Sequence, residues 1–77
     1  MKSVVLNLQY ADVKDFVNIV SKYTVETDLK SGRYTVDAKS LLGIFSLDLS
    51  KPITLEIHDG KDADELIKEL KPFIKED

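Results

Sequence analysis

The chain has no cysteine and one histidine, and only two prolines and three glycines among its 77 residues. Without cysteine there is no disulfide framework and no thiolate metal site. One histidine excludes any multi-histidine centre, and that residue, His58, lies late in the chain. No apolar run approaches the roughly 20 residues of a membrane span. The first residues also lack the basic and then apolar pattern of a signal peptide. Both absences predict a cytoplasmic protein with no membrane insertion. An excess of cations is missing too: 11 Lys and Arg face 14 Asp and Glu, for a net charge of −3, which argues against nucleic acid as a partner. The acidic runs from Asp59 to Glu65 and at Glu76-Asp77 lack the ligand spacing of a calcium loop, so they read as solvated faces and helix-dipole partners. No metal or other cofactor is expected. No repeat, linker or low-complexity segment interrupts the chain.

What is present suits one compact domain spanning residues 1–77. Apolar residues make up 43% of the chain, enough for a folded core. A chain of this size buries only about 60% of its unfolded surface, and its stability should be roughly 4–12 kcal/mol. Lys2 to Leu8 alternates, with Val4, Leu6 and Leu8 on one face, which predicts a half-buried strand. A loop from Asn7 to Ala11 leads to Asp12, placed to cap a helix whose apolar stripe is Val13, Phe16, Val17, Val20 and Tyr23. Thr24 to Lys30 alternates with Val25, Thr27 and Leu29 inward, Ser31-Gly32 reads as a hairpin turn, and Arg33 to Ala38 returns.

Ser40 then sits where a helix N-cap belongs. Leu41, Leu42 and Phe45 follow at spacings a short helix brings together. Ser50-Lys51-Pro52 breaks the chain, and Ile53, Leu55 and Ile57 define a last strand. A turn at Asp59-Gly60 precedes Asp62, a second expected cap, with Glu65 at the capping-box position. Ala63, Leu66, Ile67, Leu70, Phe73 and Ile74 give the clearest helical pattern, and Pro72 should loosen its last turn. The order is β-α-β-β-α-β-α. Clean alternation in the strands predicts an α+β fold, a split βαβ with one face of an antiparallel sheet covered.

The stretch Lys39-Ser40-Leu41-Leu42-Gly43-Ile44-Phe45-Ser46-Leu47 resembles the HPr family, the small phosphocarriers of the bacterial sugar phosphotransferase system. The likeness extends over roughly Ser21 to Leu70. It implies an open-faced sandwich of four antiparallel strands with three helices on one face, the last strand inserted beside the first. The family carries Gly-[Ile/Leu]-His-Ala-Arg-Pro before its first helix, where the histidine accepts the phosphoryl group. Here Gln9 falls near the histidine, Ala11 near the arginine and Asp12 near the proline, in a shortened loop. A glutamine amide offers no nucleophilic nitrogen, and Asp12 would repel a phosphate. The resemblance is therefore to a carrier without its carrier residue, similar to the catabolite-repression HPr-like branch, which has glutamine at that place.

In Gram-positive members the serine matching Ser40 is phosphorylated by an ATP-dependent kinase and read by a transcriptional repressor. The resemblance thus implies regulatory phosphorylation at Ser40. It also implies a partner surface of Lys39, Leu41, Leu42 and Phe45, with an HPr-type kinase or a transcriptional regulator as partner. It implies no enzymatic activity, and a monomer or weak dimer. From the residues alone, Ser40 is equally a helix cap and the apolar trio equally core. Ser46 reads as a polar residue ending the helix. His58, opposite in parity to Ile53, Leu55 and Ile57, reads as an exposed surface histidine. Two alternatives stay open: a phosphocarrier working through an atypical site, for which His58 is the one histidine available, and a small-ligand or oligomerisation module on a ferredoxin-like or ACT-like fold.

Overall fold

The computed structural model describes residues 2–58 and 62–74. The strands are β1 (Lys2–Leu6), β2 (Thr27–Ser31), β3 (Tyr34–Asp37) and β4 (Ile53–Ile57), and the helices are α1 (Val13–Val20), α2 (Leu41–Phe45) and α3 (Ala63–Glu69). Short 3₁₀ turns at Tyr10–Asp12 and Lys71–Phe73 lead into α1 and follow α3. The strands form one antiparallel sheet in the order β1-β4-β2-β3, so the last strand lies between the first and second. The order of elements and the open-faced architecture are those expected from the sequence.

Alternation decides which face is covered. The register aligns Val4, Leu55, Leu29 and Val36 in one row across all four strands, and this row faces the helices. Ile53, Leu55 and Ile57 of β4 are all buried, as are Val25, Thr27 and Leu29 on and before β2. Against them α1 brings Val13, Phe16 and Val20, α2 brings Ile44, and α3 brings Ala63, Leu66 and, just past its end, Leu70. Val17 and Ile67 sit half-buried at the rim of the same cluster. Phe16 meets Phe73 edge to face, with centroids 6.3 Å apart.

Pro72 acts as expected. The α-helix stops at Glu69, and Pro72 lies within the 3₁₀ turn that replaces a further α turn. That turn brings the chain back to the open edge of β1, where the Asn7 N–H donates to the Phe73 carbonyl at 2.7 Å and Leu6 bridges to Ile74. Part of an otherwise exposed sheet edge is thereby paired.

Three local expectations are corrected. Strand β2 begins at Thr27 and runs through Ser31, which pairs with Tyr34, so the hairpin turn is Gly32-Arg33. Gly32 has φ of 60°, the conformation that a two-residue turn of this hand needs at its first central position. Asp12 does not cap α1 through its side chain; its carboxylate instead accepts from the Gln9 N–H at 3.2 Å, closing the 3₁₀ turn. Asp62 stands at the N-cap of α3 but makes no side-chain cap bond. The Asp59-Gly60 turn lies outside the described residues.

Phe16→Ala should cost about 3–5 kcal/mol, since it removes a ring with no exposed surface from the centre of the core. Urea unfolding of the variant checks this, and a midpoint close to that of the parent protein would contradict the assigned core.

Candidate functional site

The site begins at the end of β3. The Asp37 carboxylate accepts from the Lys39 N–H at 2.9 Å, and the Asp37 carbonyl accepts from the Ser40 N–H at 2.9 Å. This turn delivers Ser40 in an extended conformation (φ −98°, ψ 106°), the backbone state an N-cap requires. Its Oγ accepts from the Gly43 N–H at 3.1 Å, so the hydroxyl proton remains free to point elsewhere. Gly43 also lets α2 lie flush on the sheet, because a Cβ there would come within 3.2 Å of Val36 Cβ.

With only five residues, α2 turns one large side chain inward. Ile44 is fully buried, while Leu41 is 39% exposed, Leu42 83% and Phe45 42%. The apolar surface does not stop at the helix. Tyr10, in the 3₁₀ turn before α1, stacks on Phe45 with centroids 6.0 Å apart and planes within 7°. Tyr10 is itself 60% exposed. Among the described residues, four of the six large exposed apolar side chains therefore lie on α2 or against it. The residue before Tyr10 is Gln9, the N-cap of that 3₁₀ turn. Sequence reading missed Tyr10. Its one local signal is an aromatic residue in the short loop before α1.

Lys39 is engaged rather than free: its Nζ donates to the Tyr23 carbonyl just past α1 at 2.7 Å. Tyr23 belongs to a second cluster. Its hydroxyl donates to Glu69 on α3, and Lys22 Nζ reaches the other oxygen of the same carboxylate at 2.6 Å. The ends of α1 and α3 and the entry to α2 are thus joined by polar contacts. His58 is not the free surface residue expected. It is half-buried, its Nε2 lies 2.6 Å from Asp28 Oδ2, and its N–H donates to the Glu26 carbonyl at 2.9 Å. Among the described residues no group of three His, Cys, Asp or Glu side chains is placed to hold a metal. No described helix is long and apolar enough to cross a membrane.

The family model described as "PTS HPr component phosphorylation site" matches residues 7–76. The chain belongs to the HPr family. HPr-C-His from Thermoanaerobacter tengcongensis superposes with a TM-score of 0.78 at 30% identity, over 94% of this chain and 89% of that one. The phosphocarrier HPr of Bacillus anthracis gives 0.74 at 26% identity, over 96% and 94%. The catabolite-repression protein Crh of Bacillus subtilis, whose crystal form is a swapped, intertwined dimer, gives 0.67 at 28% identity, over 86% and 77%. No curated protein sequence matches the chain. HPr proteins are phosphocarriers of the phosphotransferase system rather than enzymes, and they work on other proteins of that system.

The opening to α1 differs from the loop that the family resemblance implies. The segment from Asn7 to Asp12 holds no histidine and no arginine, and the Gln9 N–H is already taken by the Asp12 carboxylate. Ser40 stands at the N-cap of α2, with Leu41, Leu42 and Phe45 following it.

The Tyr23 cluster gives a titration that can be measured. The hydrogen bond to Glu69, then burial, then the nearby carboxylate charges push the Tyr23 phenol up to about 12. The folded state therefore holds this proton more tightly than the unfolded chain. Its contribution to stability is complete below about pH 10 and is lost as pH rises toward 12. Glu69 works in the opposite sense. Lys22 first and Tyr23 second hold its carboxyl below the usual range, so its contribution is present at neutral pH and is lost as pH falls through that lowered value. The phenolate absorbance of the parent protein minus that of Tyr23→Phe should rise with a midpoint near 12. A difference rising near pH 10 would show that the bond to Glu69 is not made.

Proposed function

We propose that this protein is a regulatory protein-binding module of the phosphotransferase system, a single domain acting as a monomer or weak dimer. It works through Ser40 and the apolar surface of α2 and does not carry phosphate on histidine. The observation that carries this reading is the contrast between the two places where HPr proteins do their work. At the first helix the acceptor histidine is missing and glutamine and aspartate stand in the loop. At α2 a capped serine opens directly onto Leu41, Leu42 and Phe45, and Tyr10 extends that surface back to Gln9. An exposed apolar patch of this kind is the usual physical form of a protein-binding surface. The partner is an HPr-type kinase or a transcriptional regulator.

An HPr-type kinase would move the γ-phosphoryl group of ATP onto Ser40 Oγ, releasing ADP and the hydroxyl proton. The added charge of about −1.5 to −2 falls at the N-terminal end of α2. Free N–H groups there favour an anion, so the fold stays intact and the short helix gains slightly. The larger effect is on recognition. A partner with an arginine beside an apolar pocket gains charge-assisted hydrogen bonds, and one that simply buries the patch loses affinity. The atypical-carrier reading would need His58, whose Nε2 is already committed to Asp28.

Incubation with an HPr-type kinase and ATP should add one phosphate, located at Ser40 by mass spectrometry and absent from Ser40→Ala. Incubation with phosphoenolpyruvate and the general phosphotransferase enzyme should leave no acid-labile phosphate. Gln9→His alone should not restore it, because Ala11 supplies no guanidinium and Asp12 adds repulsion. Acid-labile labelling of the unaltered chain would sink the claim that carrier function is lost. No incorporation by the kinase would leave Ser40 as a helix cap.

A further inference from the structure

A cleft of about 490 Å³ lies on the far side of α2 from Ser40, between the β2–β3 turn and the segment that follows the helix. Arg33 stands at the turn, Lys51 stands on the segment before β4, the exposed ring of Tyr34 lines the cleft, and Leu47 lines it from the core. Arg33 is the one arginine in the chain. Among the described residues neither Arg33 nor Lys51 has a carboxylate within 4 Å, whereas Lys2, Lys22 and Lys30 are each paired. Asp48 also lines the cleft, but its Oδ1 accepts from both the Ser50 N–H at 3.1 Å and the Ser50 hydroxyl at 2.5 Å. These bonds hold the carboxylate against its own loop and keep it ionised. Two cations against one carboxylate, which Lys51 helps to keep ionised, make this a positive spot on a protein whose net charge is −3.

We propose that this cleft binds a small phosphate monoester carrying a flat ring. The size is within the usual range for small-ligand sites, about 300–1,000 Å³. A dianion calls for two cations, and a planar guanidinium fork with a lysine ammonium is a recurrent pairing for phosphate oxygens. The Tyr34 ring offers a stacking face for the rest of the ligand. Asp48 limits the net charge of the cleft and so works against ligands with several phosphates. The site is separate from Ser40 and does not depend on the regulatory reading above.

The test is an amide ¹H–¹⁵N titration of the full chain with phenyl phosphate, inorganic phosphate and phenol in parallel. Phenyl phosphate should shift the amides of Gly32, Arg33, Tyr34 and Lys51 saturably. Its Kd should be at least ~10-fold below that of inorganic phosphate, and phenol should have no effect. Arg33→Gln and Lys51→Gln should each weaken binding by about tenfold while leaving the remaining amides in place. Tyr34→Ala should reduce the preference over inorganic phosphate. The proposal is overturned by shifts that do not saturate, by shifts centred on Ser40, by an equal response to phenol, or by glutamine variants that bind as tightly as the parent.

Discussion

Strand β4 is the constraint on which the other elements depend. It pairs with β1 on one side and β2 on the other, and its three inward residues are buried. Because both neighbours run antiparallel to it, their inward residues line up with Leu55, and one continuous apolar face results. That face must be covered, and among the described residues α1, α2 and α3 do most of this, helped by Leu8, Leu47 and Leu49 from the segments beside them. Within α2, which packs against β3, only Ile44 is fully turned into the core, and Leu47 and Leu49 just past the helix complete the cover. The exposure of Leu41, Leu42 and Phe45 follows from this division of the sheet among one short and two longer helices.

The uncovered face carries its own electrostatic problem. Glu56, Asp28 and Asp37 are aligned across three adjacent strands. Like charges directly opposite one another are destabilising, and each of these is answered separately. Lys30 reaches Glu56 at 3.1 Å, His58 reaches Asp28 at 2.6 Å, and Asp37 accepts from the Lys39 N–H. This gives His58 a structural role in the sheet. It also shows Asp37 acting twice, since the turn it holds is the one that presents Ser40 for capping.

Much of this is legible in the sequence. The period of two in Ile53, Leu55 and Ile57 and the helical stripe of Val13, Phe16 and Val20 depend on burial, which the sequence encodes directly. Capping was less legible, because it needs a backbone conformation as well as a residue type. Ser40 has the extended backbone and caps; Asp12 (φ −88°, ψ −16°) and Asp62 (φ −93°, ψ 5°) do not, and neither side chain caps its helix. The sequence puts the hairpin turn one residue early, because a glycine suits either position of a two-residue turn and only the pairing of Ser31 with Tyr34 decides. The contacts of Tyr10 with Phe45, Lys39 with Tyr23 and His58 with Asp28 each join segments far apart in the chain. No local pattern encodes them, and two of the three bear on the candidate site.

The central claim is that α2 keeps Ile44 in the core and turns Leu41, Leu42 and Phe45 toward a partner. Leu42→Glu tests it most directly, since this side chain is 83% exposed. The measurement is the KM of an HPr-type kinase for the protein, taken together with the thermal midpoint of the variant. The account predicts a midpoint within about 2 °C of the parent, as for a surface change, and a KM raised at least ~10-fold through loss of apolar contact with the kinase. A collapsed midpoint, or an unchanged KM, would contradict it.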